Sequence, residues 1–210
     1  MRELCARTVY FEQPGRANTE RTLELAYARA KELGLHTVLV ATTRGDTGAR
    51  AVQVLKGMEI IAVTHEAGHR APNTQDLTPE NRAAIEAAGG RILTCQHAFA
   101  GVNRAVRKKL GAYQLDEIIA YTLRTFGQGM KVVVEIALMA ADAGLVRTDV
   151  PVMCIAGSGH GADMAAVVLP TNSHTIFQVR VVEVVCRPSP EHPAFEHPRD
   201  RATSSEEDAR

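Results

Sequence analysis

The sequence predicts an α/β fold, a three-layer sandwich whose mainly parallel sheet is closed by antiparallel strands. Three observations carry that expectation. Short apolar or β-branched runs of the kind buried on both faces recur at residues 37–41, 59–64, 91–95 and 150–156. Helical periods separate them, and that alternation builds parallel strands joined by helical crossovers. After residue 150 the helices stop. Strand-like runs at 150–156, 165–169 and 175–186 then follow one another directly, and connections that short suit antiparallel neighbours.

Taken in order, residues 8–11 read as a short extended lead-in closed by the turn Gln13-Pro14-Gly15. Asn18 or Thr19 caps a helix whose Leu23, Ala26, Tyr27, Ala30 and Leu33 share one face, and Gly34 stops it. The strand 37–41 empties into Thr42-Thr43-Arg44-Gly45-Asp46-Thr47, and a helix capped by Asp46 or Thr47 runs to Lys56. Residues 65–77 form a polar loop. Thr78-Pro79-Glu80 then opens another helix with cap, first-turn proline and first-turn acid in place.

From 98 to 144 the chain reads as almost continuous helix, broken at Gly111 and at Gly127-Gln128-Gly129. Leu115, Ile118, Ile119, Thr122, Leu123 and Phe126 make an amphipathic stripe. Residues 131–143 are apolar nearly all round, which predicts a helix buried against the sheet or in a subunit contact, and with it a homo-oligomer. One domain is expected over 1–187. The proline-rich, acidic stretch 188–210 is expected to be a disordered tail.

The hydrophobic fraction of 45% and charged fraction of 23% are those of a globular protein. Formal net charge is +0, so no global field recruits nucleic acid or anionic lipid. Four scattered cysteines, Cys5, Cys95, Cys154 and Cys186, form no CxxC pair. With no long apolar run to serve as signal peptide or membrane span, a cytoplasmic protein is expected.

Ligands of such sheets bind beyond the carboxyl ends of the strands, where strand order reverses. The loops after residues 41, 63, 95 and 156 open on that edge. Thr42, Thr43, Arg44, Gly45, Asp46 and Thr47 join a strand to a helix N-terminus, where free N–H groups, the helix dipole and hydroxyls can cradle a phosphate. An ordinary loop whose threonines only cap the helix is the alternative.

Gly157, Ser158, Gly159, His160 and Gly161 partly match a dinucleotide fingerprint, but a strand follows where that motif needs a helix. The loop either approaches a ligand with its backbone or is a plain tight turn. His65-Glu66-Ala67-Gly68-His69 formally matches HExxH. That motif needs a helix to put both histidines on one face. Here it follows a strand and contains Gly68, so no metal is expected, and ligand contact through Thr64 or His65 is the reading kept. Gly127, Gln128, Gly129 and Lys131 either face the ligand or let two helices turn. His97 caps a helix or lines the cleft.

Thr42-x-Arg44-Gly45-x-Thr47 after a buried strand, then Ile60-Ile-Ala-Val-Thr64, then the glycine loop before an antiparallel pair, resembles the C-terminal domain of pyruvate kinase. In that domain the first loop and the later glycine-rich loop hold a sugar bisphosphate effector. Arg44 stands where that loop has a small hydroxyl. The departure speaks against a bisphosphate but leaves room for a single phosphate, which a guanidinium can grip in a bidentate fork.

A closer resemblance is to a family of small stand-alone proteins with that domain's fold. It rests on Tyr10-Phe-Glu-x-Pro-Gly15, Asn18-Thr19-Glu20, Phe126-Gly-Gln-Gly129, the run from Glu135 to Gly144 and Gly161-Ala-Asp163. That resemblance implies bound flavin mononucleotide (FMN) and no established reaction. Pyruvate kinase activity is not expected, because the catalytic (β/α)₈ barrel alone needs about 250 residues. The leading expectation is a binding protein for a phosphorylated small molecule, FMN foremost. A flavin-dependent or phospho-metabolite enzyme, with His65, His97 and His160 available for proton transfer, and a metabolite-sensing module are the alternatives.

Overall fold

The computed structural model describes residues 1–195. Seven strands form one sheet: β1 (Val9–Phe11), β2 (Thr37–Ala41), β3 (Glu59–Val63), β4 (Arg91–Leu93), β5 (Val152–Ala156), β6 (Met164–Leu169) and β7 (Arg180–Pro188). Their order is β1-β7-β6-β5-β2-β3-β4. Strands β5, β2, β3 and β4 run parallel, β6 runs antiparallel to β5, and β7 antiparallel to β6. The expected three-layer α/β architecture is the one observed.

The helices are α1 (Thr19–Glu32), α2 (Asp46–Val54), α3 (Pro79–Ala87), α4 (Val102–Leu110), α5 (Leu115–Arg124) and α6 (Gln128–Asp142). Alternation along the strands sorts the core into two halves. Val38 and Val40 of β2 and Met153 and Ile155 of β5 face α1 and α2 through Leu23, Ala26, Ala51 and Leu55. Leu39 and Cys154 face the opposite way, against Val133, Val134 and Ala137 of α6. Successive strands lie to one side of β2 (β3, β4) and then to the other (β5), so the order reverses between β2 and β5. Their carboxyl ends frame the cleft described below.

Several local expectations are corrected. Gly45, not Asp46 or Thr47, is the N-cap of α2, with φ 100. Residues 173–178 form a 3-10 segment rather than the start of the last strand. Hydroxyl bonds hold it, Thr175 Oγ1 to Thr171 Oγ1 at 2.6 Å and to Asn172 O at 3.1 Å. Residues 98–101 are not helical; Gly101 sits at φ 61, and the helix begins only at Val102.

The stripe on α5 is split. Ala120 is buried and Ile119 and Leu123 pack on the core, but Leu115, Ile118 and Tyr121 point outward. Helix α6 is apolar all round because it is enclosed within one chain, by β2, β5 and β6 on one side and by α5 and the 3-10 segment on the other. Its composition therefore gives no argument for a subunit contact. Pro188 closes β7 opposite Phe11, and Ser189 N–H donates to Phe11 O at 2.9 Å. The His192 ring lies 4.9 Å from that of Tyr10. Residues 188–195 of the expected tail are thus seen against the strand edge, and 196–210 lie outside the described residues.

Gly129, inside α6, shows how closely that helix approaches the sheet. A Cβ there would stand 2.4 Å from Met164 Cβ and 2.9 Å from its Cγ. Helix propensity favours Gly129→Ala by about 1 kcal/mol, but overpacking a tight core typically costs about 1–3 kcal/mol. The clash is expected to win. Urea unfolding of Gly129→Ala should show a net destabilisation of up to about 2 kcal/mol, whereas a stabilised variant would mean the contact relaxes freely.

Candidate functional site

Strand β2 delivers the chain to Thr42, whose N–H donates to Val63 O at 2.9 Å. The turn 42–45 is then tied to α3: Arg44 O accepts from Thr78 N–H at 3.1 Å and from Asn81 Nδ2 at 2.9 Å. Gly45 is needed twice over. Its φ of 100 is left-handed, and a Cβ would meet Asn81 Cβ at 2.4 Å and Leu77 Cδ1 at 2.6 Å. The first intrahelical bond of α2 is Ala49 N–H to Gly45 O at 2.8 Å. The amides of Asp46 and Thr47, in the first turn, have no helix partner, Gly45 offers no capping oxygen, and Gly48 N–H reaches Thr42 Oγ1 at 3.4 Å. Thr42 and Thr47 are buried beside them.

This helix start opens into a cavity of 810 Å³, within the range of about 300–1,000 Å³ usual for small-molecule sites. Thr42, Thr43, Arg44, Asp46 and Thr47 line one end of it. Thr64 and His65 line it after β3, Gln128 and Lys131 from α6, and Gly157, Gly159, His160 and Gly161 after β5. Four expected residues do not. Gly45 and Gly129 are packing positions, Gly127 is the N-cap of α6, and Ser158 is turned to Asp163 Oδ1 at 3.3 Å.

The glycine loop joins two antiparallel strands, so no dinucleotide fingerprint is present. It is held by buried Asp163, whose Oδ2 accepts from Gly15 N–H at 2.7 Å and Ser158 N–H at 3.2 Å. Burial raises the carboxyl of Asp163 above the usual aspartate range, and these donors offset part of the shift. Gly161 lets the loop lie on the start of α1, because a Cβ would stand 2.4 Å from Thr19 Oγ1.

Sequence reasoning missed most of the cleft's charge. Arg16, Arg50, Arg70, Arg104 and Arg124 join Arg44 and Lys131 around the cavity, against the carboxylates of Glu20, Asp46 and Glu135. Arg50 is tied to Glu20 at 2.7 Å, and Arg124 to Gln128 at 2.7 Å. A lone arginine on a helix reads as a solvated side chain, and only the tertiary arrangement shows these converging. The cavity also has apolar lining, from Ala41 and Val63 and from Val132, Ile136 and Met139 of α6.

The histidines of the loops after β3 and β4 meet at one rim of the cleft. His65 Nδ1 lies 2.9 Å from Asp76 Oδ2, and its Nε2 lies 3.3 Å from Thr43 Oγ1. The rings of His65 and His69 are 4.1 Å apart, and that of His97 is 5.4 Å from each. Burial lowers the pKa of His97 despite the nearby carboxylates of Glu135 and Glu66. Burial opposes ionisation of Glu66, but the hydrogen bond with His69 and the neighbouring His97 outweigh it, leaving this carboxyl below its usual range. His97 lines the cleft rather than capping a helix.

Among the described residues no helix is long and apolar enough to cross a membrane. A solved lysine-to-alanine mutant of O-ureido-L-serine synthase with O-ureido-L-serine bound is similar at 18% identity and a TM-score of 0.29, over 65% of this chain. The alignment covers 49% of that structure, so this chain spans about half its length, and a likeness this weak carries no argument. Residues 20–168, from α1 through most of β6, match the pyruvate kinase alpha/beta domain. That match covers well over half of the 210 residues, and the chain belongs to the pyruvate kinase alpha/beta domain family.

Proposed function

We propose that the chain binds a phosphorylated planar ligand, FMN by preference, in the cleft at the carboxyl ends of β2, β3 and β5. One observation carries the reading. The N-terminus of α2, flanked by Thr42 and Thr47, opens into a cavity lined by several cations and by a set of apolar side chains. Free amides and the helix dipole suit a phosphate, and Arg44 adds a planar donor. The wall of Val63, Val132, Ile136 and Met139 suits a flat ring lying toward the loops after β3 and β5. Titration of FMN and riboflavin by fluorescence quenching tests it. FMN is expected to bind at least about tenfold more tightly, the effect of roughly 1.4 kcal/mol of phosphate contact. Equal affinities would overturn the proposal.

A second reading, a flavin-dependent or phospho-metabolite enzyme, draws on the line Asp76–His65–Thr43. A carboxylate orients the imidazole, whose other nitrogen faces a hydroxyl on the cleft, the arrangement a general base requires. Bleaching of the flavin absorbance by a nicotinamide cofactor would select its flavin-dependent form, and an unchanged spectrum would remove that form.

We also propose that the chain forms a homo-oligomer, through the outward face of α5 rather than through α6. Leu115, Ile118 and Tyr121 are each more than half exposed, and Tyr113 adjoins Tyr121 with ring centroids 6.2 Å apart. Apolar groups clustered this way mark interaction surfaces. Ile118→Glu should yield monomers by light scattering at micromolar concentration while keeping the far-ultraviolet spectrum; a wild type that is already monomeric would refute the proposal. The four free thiols, two of them buried, suit a reducing, cytoplasmic setting.

A further inference from the structure

We propose that Glu66, His69 and His97 form a site for one divalent cation of the zinc type at the rim of the cleft. The HExxH string does not supply it in the usual way, because residues 65–69 are not helical and His65 is engaged elsewhere, by Asp76 and Thr43. The fold instead pairs Glu66 and His69 with His97, which arrives from the loop after β4. One ligand atom from each lies within 4.8 Å of the others.

The turn that presents Glu66 and His69 is itself fixed, by His69 N–H to Glu66 O at 3.3 Å and Gly68 N–H to Thr74 O at 2.8 Å. Glu66 Oε1 stands 3.0 Å from His69 Nδ1, and Oε2 stands 2.8 Å from His97 Nε2. The second contact is not a hydrogen bond. Glu66 Oε2 is buried and receives no aligned donor. Two electron-pair donors held at contact distance with no proton directed between them are what a shared cation resolves. Two imidazoles and one carboxylate are also a ligand set that divalent zinc accepts while keeping an open position. Both His69 and His97 line the cavity, so that position faces the cleft. Behind His97, Glu135 Oε1 lies 3.9 Å from Nδ1, beyond hydrogen-bond reach but close enough for its negative charge to favour a cation held by the ring. Two cations oppose the site. Lys131 is neutralised by Glu135, and Arg104, 3.5 Å from His69 Nδ1, is exposed and free to swing away.

The test is titration of the full chain, stripped with a chelator and without flavin, with Co²⁺ followed by visible absorption and then by Zn²⁺ competition. One equivalent is expected to saturate, and Zn²⁺ to displace it. His69→Ala, in a loop outside any helix or strand, should weaken Co²⁺ binding by at least about a hundredfold, more than the typical loss of an outer partner. Glu66→Gln should do the same, and His174→Ala, away from the cleft, should change nothing. Binding that never saturates, or that survives both His69→Ala and Glu66→Gln, overturns the proposal. Because flavin is absent, a protein that takes Co²⁺ but not FMN would refute only the binding function proposed above.

Discussion

Replacing Lys131 by methionine is expected to lower the free energy of unfolding by about 3 kcal/mol, the lower end of what breaking a buried ion pair costs. Lys131 and Glu135 lie one turn apart on α6, bonded through Nζ and Oε2, and both are buried. Burial draws the ammonium below the ordinary lysine range, and the attraction of Glu135 limits the fall. Methionine keeps the stem's volume but strands a carboxylate away from water. Two neighbours soften the loss: Phe99 N–H donates to Glu135 Oε1 at 3.1 Å, and His97 Nδ1 is 3.9 Å away. The double variant Lys131→Met/Glu135→Gln should therefore recover most of the stability, since glutamine is neutral and still accepts from Phe99. Urea unfolding of the two proteins decides it. If the double variant is no more stable than the single one, the destabilisation comes from lost packing rather than from an orphaned charge.

The same helix marks where reading the sequence stopped. Its apolar residues on every side fixed it as buried, but burial has two sources, another chain or its own sheet. Only the topology, with α6 lying between the strands β2, β5 and β6 and the helix α5, decides between them. The period of α5 was legible, but its direction was not. Leu115 and Ile118 are as apolar as Ile119 and Leu123, and the choice of inward face depends on how the helix rests on α6. The strand-to-helix loop was legible because its chemistry is local: a buried strand, hydroxyls, one glycine and a helix start occupy consecutive positions. The His97 contact with Glu66 was not, since it joins two loops that follow different strands. The arginine rim is hidden for the same reason. Arg16, Arg50, Arg104 and Arg124 come from four separate segments and converge only when the sheet edge is assembled.

Disabling the α2 start should abolish the preference for FMN over riboflavin while sparing the shared ring. Thr47 is buried beside amides that no side chain caps. Thr47→Val is nearly isosteric, removes one hydroxyl donor and sets a methyl against an anion. The expected loss in FMN affinity is about 1–3 kcal/mol, or roughly tenfold to hundredfold, with riboflavin affinity unchanged. Gly45→Val should be more severe. It forces a β-branched residue to φ 100 and drives its Cβ into Asn81 and Leu77, which unseats the turn that aims the amides. That variant also loses stability, so the ratio of FMN to riboflavin affinity is the quantity to measure, not either affinity alone. A ratio near one in Gly45→Val, with riboflavin still bound, is the expected outcome. A ratio as large as that of the wild type in both variants would place the phosphate elsewhere in the cleft, among the arginines of the rim, and the helix N-terminus would have no part in binding it.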